Sequence, residues 1–339
     1  MFHKLITAAA VAAVAMTATA AQADFKALDG DPKEINFGII STESTANLKE
    51  QWLPFLKDME TATGMTVKPF FAPDYAGIIE GMRFGKVHVA WYGNKSAMEA
   101  VDRAGAEVFV QTVRHDGTKG YYSHIITHKD NDKLNNLDDL LKCDKSLDFG
   151  IGDPNSTSGF LVPSYYVFAL NNVDPKNCFK TVRNANHETN FMATANKQVD
   201  AAANNSEQIE RSHAKVPDTA KNVKVVWTSP LIPSDPITFR KDLSQDMKAN
   251  IKGFFLSYGR NGTPAENKKA LAILNGMQMA PFVDSSNAQL YPIRQLALFK
   301  DKLKAENNAK MSAAEKTATV KGIDTQLATL EVLSANIGK

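Results

Sequence analysis

Phe149-Gly150-Ile151-Gly152-Asp153-Pro154-Asn155-Ser156-Thr157-Ser158-Gly159 reads as the end of a buried strand over 147–151, a tight turn, and the start of a helix over 156–170. Asp153-Pro154-Asn155 is turn chemistry. Ser156, Thr157 and Ser158 then fall where the first backbone N–H groups of a helix have no internal partner and carry the positive end of its dipole. One of these residues could simply cap the helix while the others are solvated. Three hydroxyls in a row at that end favour a pocket for an oxyanion such as a phosphate or phosphonate. Gly159 would let a ligand approach the backbone. Pro163 either kinks this helix or marks its true first turn.

Upstream, residues 1–23 read as an export signal. His3 and Lys4 precede an Ala-rich apolar run, and Ala21-Gln22-Ala23 fits the small-x-small cleavage rule. Thr7, Thr17 and Thr19 interrupt the run, and no later stretch is apolar enough to span a bilayer. Cleavage near Ala23 leaves roughly 316 residues, enough for two domains. Lys and Arg total 39 against 37 Asp and Glu, so no nucleic-acid partner is indicated.

Apolar spacing places a strand over 35–40 and a helix over 47–60 with Leu48, Trp52, Phe55, Leu56 and Met59 on one face. A strand over 66–72, a helix to about 84, and a strand over 87–91 follow. Next come a helix over 95–103 and a strand over 108–113. This βαβαβ rhythm implies a mostly parallel sheet covered by helices. New material then repeats it: strands over 123–128, 147–151, 181–185, 200–204 and 223–228, with helices over 136–141, 156–170 and 189–197. Pro230, Pro233 and Pro236 mark an extended crossing, after which 237–240 reads as a strand and the rest as largely helical. The architecture is α/β with two lobes, each a mixed sheet flanked by helices. Lobe 1 comprises 24–122 and 236–339 and lobe 2 comprises 123–235, with crossings near Tyr121 and Asp235. In the helical C-terminal extension, Ile323, Leu327, Leu330 and Leu333 form an apolar face for the protein's own body or for a second copy.

Cys143 and Cys178 each precede a strand. If those strands are parallel neighbours, a disulfide is open to them in an oxidising compartment; two unpaired thiols are the equal alternative. No CxxC pair suggests zinc. The chain has no GxxxxGK[ST] loop, HExxH motif or GxSxG elbow. No cofactor, metal site or activated nucleophile is expected, so an exported phosphonate or phosphate-ester hydrolase is the weaker reading.

Several polar residues fall at strand ends or crossings, where open α/β sheets present ligands. They are Tyr75, Tyr121, His187, Glu188, Asn204, Asn205, Glu207 and Asp235. Their shared position at one edge raises each above an ordinary packing or surface residue.

Long stretches carry a resemblance. They are Phe37-Gly38-Ile39-Ile40-Ser41-Thr42-Glu43-Ser44, Phe71-Ala72-Pro73-Asp74-Tyr75-Ala76-Gly77-Ile78-Ile79, Ala90-Trp91-Tyr92-Gly93-Asn94, Gly152 to Phe160, His187-Glu188-Thr189-Asn190, Ser229-Pro230-Leu231-Ile232-Pro233 and Pro292-Ile293-Arg294-Gln295-Leu296-Ala297-Leu298-Phe299. Through them the chain resembles the periplasmic phosphonate-binding proteins of ABC importers. The resemblance implies a type II periplasmic binding fold, a periplasmic location, an inner-membrane ABC permease as partner, and 2-aminoethylphosphonate as the preferred ligand. It implies that Ser156, Thr157, Ser158, Tyr75, Tyr121 and His187 hold the phosphonate oxygens and that Glu207 and Asp235 hold the ammonium. It further implies that the C-terminal helices join two copies as a homodimer. It gives the cysteine pair no support. The assignment is physically coherent: an oxyanion wants convergent N–H and O–H donors, and a neutral cage avoids a lysine or arginine beside the ligand's ammonium. That ammonium needs carboxylates once water is excluded. Methylphosphonate, phosphite or phosphate would leave those carboxylates without a cation.

Overall fold

The computed structural model of the protein describes residues 25–335. The expected export signal lies outside the described residues. The chain opens as alternating elements: β1 (Glu34–Ile39), α1 (Thr45–Thr63), β2 (Thr66–Phe71), α2 (Tyr75–Arg83), β3 (Val89–Trp91), α3 (Asn94–Arg103) and β4 (Ala106–Arg114). The predicted face of α1, Leu48, Trp52, Phe55, Leu56 and Met59, is buried, because residues three and four apart share a helix face. Ser44 caps the helix through its side chain and Gly64 ends it at φ 70°.

The two-residue β5 (Gly120–Tyr121) leads into the second lobe. There follow β6 (Ser123–His128), α4 (Leu137–Leu140), β7 (Asp148–Ile151), α5 (Pro175–Cys178), β8 (Thr181–Asn184) and α6 (His187–Ala195). β9 (Ala201–Asn205), α7 (Ser206–Lys215), α8 (Pro217–Ala220) and β10 (Val223–Thr228) complete it. β11 (Ile232–Pro233) returns the chain to β12 (Pro236–Arg240), α9 (Gln245–Ser257), α10 (Pro264–Gly276), β13 (Met279–Asp284), α11 (Tyr291–Glu306) and α12 (Ala313–Ala335).

The first sheet has the order β13-β4-β12-β3-β1-β2 and the second β10-β6-β9-β7-β8. β2, β1 and β3 run parallel, as the alternation implies. β12 arrives from the other lobe and enters antiparallel between β3 and β4. That insertion makes the sheet mixed where the βαβαβ rhythm alone pointed to a mostly parallel one. β13 falls where only helix was expected. It carries Pro281 at the sheet edge, where a missing N–H on the outer side is tolerated. The two crossings pair with each other, β5 against β11, with Tyr121 opposite Ile232.

The core of the first lobe is an aromatic cluster of Phe37, Trp52, Phe55, Phe109, Phe255 and Phe282. Phe149, Phe168 and Phe179 play that part in the second. Ile293 and Leu296 of α11 pack with Tyr121, Leu161, Val162 and Ile232, so α11 braces the crossings. Ile323, Leu327 and Leu330 of α12 are buried, with α12 lying along α11, while Leu333 is exposed. β7 and β8 are parallel neighbours, and of the two readings of the cysteines the structure has the bridge, Cys143–Cys178.

Candidate functional site

The turn after β7 is built as its sequence suggests. The Ser156 N–H donates to the Asp153 carbonyl at 2.8 Å, and the Asp153 carboxylate accepts from the Asn155 N–H at 2.7 Å. Ser156 caps the following helix, its Oγ accepting from the Gly159 N–H at 3.0 Å. Gly159 serves packing here. A Cβ on it would lie 3.0 Å from the Gly152 Cα and from the His187 ring, and the Gly152 N–H donates to its carbonyl at 2.8 Å.

The helix does not stop at Pro163. It widens into π turns, Thr157–Leu161 and Ser164–Phe168, on either side of that residue. The Leu161 N–H reaches back to the Ser156 carbonyl and the Val162 N–H to that of Thr157. Pro163 has no N–H to offer the next carbonyl in this pattern. That carbonyl, of Ser158, instead accepts the Ser123 hydroxyl at 2.6 Å. The proline thus does not begin the helix; it distorts the hydrogen-bond ladder from within.

Tyr75, Tyr121, Ser156, Thr157, Ser158, His187, Glu207 and Asp235 all line one cavity between the lobes. Several stand at helix starts: Tyr75 opens α2, His187 opens α6, and Glu207 lies in the first turn of α7. The cavity wall therefore gathers the positive dipole ends of helices.

The three hydroxyls share a feature that decides their chemistry. Each already accepts a hydrogen bond: Ser156 from the Gly159 N–H, Thr157 from the Lys95 N–H at 2.9 Å, and Ser158 from Asn205 Nδ2 at 3.2 Å. With one lone pair of each oxygen held by a protein donor, the O–H proton is left to point elsewhere. His187 Nε2 lies 3.5 Å from Ser156 Oγ and 3.4 Å from Ser158 Oγ. Burial, with Arg211 nearby, pulls the imidazole down to about 4, so it is neutral at pH 7. Burial, reinforced by Asp153 and Asp235, holds the Tyr75 phenol well above its ordinary value and keeps it a donor.

Across the cavity the charges are reversed. Asp235 is buried and accepts from the Tyr121 hydroxyl at 3.2 Å. Its carboxyl is pushed well above the carboxylate range by burial first and by the neighbouring Glu207 second. Burial also raises Glu207, against the pull of Arg211 and Arg114. Glu207 thus makes Asp235 harder to ionise, and a cation beside Asp235 would relieve it.

Two arginines line this side, contrary to the expectation of a cavity without lysine or arginine. Arg114 Nη1 lies 3.5 Å from Glu207 Oε1, and its Nη2 pairs with Glu210. Arg211 Nε lies 2.7 Å from Glu43, and its Nη1 donates to Gln278 at 2.7 Å. Each is matched by an acid, so the side as a whole is not cationic. Trp91 and Thr42 also face the cavity; the Trp91 indole is directed at Asp235, and Thr42 Oγ1 has no hydrogen-bond partner among the described residues. Arg211, four residues after Glu207 on one helix, had a spacing signal. Arg114 had only its place at a strand end, which many surface arginines share.

Residues 37–290 match the family described as ABC transporter, phosphonate, periplasmic substrate-binding protein. The chain is 55% identical over 302 residues to the phosphonates-binding periplasmic protein of Escherichia coli K12, covering 89% of this chain and 87% of that one. It is 29% identical over 266 residues to a phosphate-import protein of Mycolicibacterium smegmatis, covering 75% and 81%. The crystal structure of a binding-protein component of a phosphonate ABC transporter from Pseudomonas aeruginosa superposes with a TM-score of 0.86 at 53% identity, covering 91% of this chain and all of that one. The chain belongs to the periplasmic substrate-binding proteins of phosphonate ABC transporters and has their type II binding-protein fold.

Proposed function

We propose that the protein captures 2-aminoethylphosphonate between its lobes in the periplasm, after cleavage of its export signal, and delivers it to an inner-membrane ABC permease without chemical change. The observation that carries this reading is the polarity of the cavity. Neutral donors face two carboxylates, Glu207 with Arg114 beside it and Asp235 with no ion-pair partner among the described residues. The donors Ser156, Thr157, Ser158, Tyr75 and His187, with Tyr121 once its hydroxyl turns from Asp235, are assigned to the phosphonate, and Glu207 and Asp235 to the ammonium. A ligand with an anionic head and a cationic tail answers both ends at once.

One observation favours a second reading, an amine-free ligand such as methylphosphonate, phosphite or phosphate. Arg114 already stands beside Glu207. Asp235 has no such cation, which keeps the aminophosphonate ahead. Calorimetric titration of 2-aminoethylphosphonate, methylphosphonate, phosphite and phosphate decides. The aminophosphonate is expected to bind at least tenfold tighter than the others, and equal or tighter binding of an amine-free ligand would replace the assignment. A homodimer through the C-terminal helices belongs to the same reading. Light scattering of the mature chain beside one ending at Asn307 is expected to give dimer and monomer masses, and two monomers would remove it.

A further inference from the structure

Glu188 stands next to His187 in the first turn of α6, yet it is not part of the cavity wall. Its carboxylate crosses to the other lobe. Oε2 accepts from the Ser44 N–H at 2.6 Å, and Oε1 accepts from Asn47 Nδ2 at 2.7 Å. Its backbone N–H also reaches the Thr42 carbonyl at 3.4 Å. Ser44 is the N-cap of α1, so one carboxylate sits at the positive ends of two helices from two lobes. Both side-chain bonds are charge-assisted and use both oxygens, the strong arrangement for a carboxylate. Other charged pairs also join the lobes, Arg211–Glu43, Arg114 with Glu207 and Glu210, and His115–Glu210, on the side of the cavity arginines; Lys215–Glu50 is a 3.2 Å contact between exposed side chains, a type that contributes little.

We infer that Glu188 is the clasp of the closed receptor: it holds the lobes together without touching ligand and so sets how tightly every ligand is retained. The bonds to Ser44 and Asn47 join residues of different lobes and exist only when the lobes meet. They therefore favour the closed form alone, and apparent affinity scales with the population of that form. Because the same helix start carries His187 into the cavity, closing the clasp and completing the donor cage are one movement. This inference rests on the receptor reading for its ligands but not for its second readout.

The test compares wild type, E188A, E188Q, N47A and N47A/E188A. Ligand titration is expected to show E188A weakening 2-aminoethylphosphonate and methylphosphonate by the same factor, about 10- to 100-fold, mainly through faster release. E188Q keeps one acceptor and is expected to fall between. N47A is expected to lose less than E188A, and the double variant no more than E188A, since Asn47 acts through Glu188. A change under twofold in E188A, or different factors for the two ligands, would overturn the inference. Closure is also read without ligand, by energy transfer between dyes on L53C and V225C, two exposed positions on opposite lobes. E188A is expected to shift the population toward longer distances, and identical distributions would overturn the clasp. If wild type bound no phosphonate, the ligand reading would fall and the dye pair would still decide this one.

Discussion

Replacing Asp235 with asparagine separates the cost of the carboxylate from its use. The side chain is buried, keeps its Tyr121 partner after substitution, and changes only in charge. An ammonium about 4 Å from a carboxylate gains about 4 kcal/mol at an effective dielectric of about 20. Part of that is offset by desolvating the ligand, so Asp235→Asn is expected to weaken 2-aminoethylphosphonate by about 2–3 kcal/mol, roughly 30- to 150-fold. Methylphosphonate should change by less than threefold. The ligand-free protein should move the opposite way. A carboxyl whose folded value is raised binds more protons folded than unfolded, so its contribution to stability falls as pH climbs from the unfolded value through the folded one. At pH 7 Asp235 therefore opposes folding, because of burial and Glu207. Asp235→Asn is expected to stabilise the empty protein by about 1–3 kcal/mol, several degrees in melting temperature. Calorimetric titration and thermal melts read both. Equal weakening of the two ligands, or a less stable empty variant, would refute the cation-site argument.

Thr157→Val removes a donor common to all ligands and the Lys95 contact, so both ligands should weaken by about 1–3 kcal/mol in the same titration. His187, neutral when folded with a value of about 4 against 6.5, takes up its proton more readily unfolded. Stability should fall as pH drops from about 6.5 toward 4, by up to about 3 kcal/mol. Urea melts at pH 7 and pH 4.5 should show a smaller difference in His187→Gln. Replacing both cysteines with serine opens a loop of 35 residues and should cost about 3–4 kcal/mol by chain entropy. Melts with and without reductant, with mass mapping of the linked peptide, measure it; an unchanged midpoint would show that the bridge adds no stability.

The sequence carried the site better than it carried the strands. Hydroxyls at 156–158 and polar groups at strand ends are legible because open α/β sheets place ligands at such ends: Tyr75, Tyr121, His187, Asn205, Glu207 and Asp235 line the cavity with the hydroxyls, while Glu188 and Asn204, read the same way, do not. The buried face of α1 was legible from helical spacing alone. β13 was not, because Pro281 and a register shift between Ala280 and Val283 erase the alternation that marks a strand. Nor was the β12 insertion, since its neighbours β3 and β4 lie more than 120 residues earlier in the chain. Arg114 and Glu43 escaped notice for the same reason: their partners, Glu210, Glu207 and Arg211, belong to the other lobe.

Those cross-lobe partners explain why a cage of neutral hydroxyls can suffice for a charged head group. A lone serine in water donates and accepts at random and gains little from an anion. Thr157 differs because its oxygen is held by the Lys95 N–H of the first lobe, and Asp153 of its turn is held by the Tyr75 N–H at 3.2 Å. Opening the lobes removes both contacts and returns the Thr157 hydroxyl to free rotation. Closing them fixes its oxygen as acceptor and leaves its proton for the oxyanion, with no further reorganisation when the anion is present. Orientation of the Thr157 donor is thus a property of the closed form, while Ser156 and Ser158 are oriented within their own lobe by Gly159 and Asn205. The same residues on an isolated second lobe should bind phosphonate far more weakly than the intact protein.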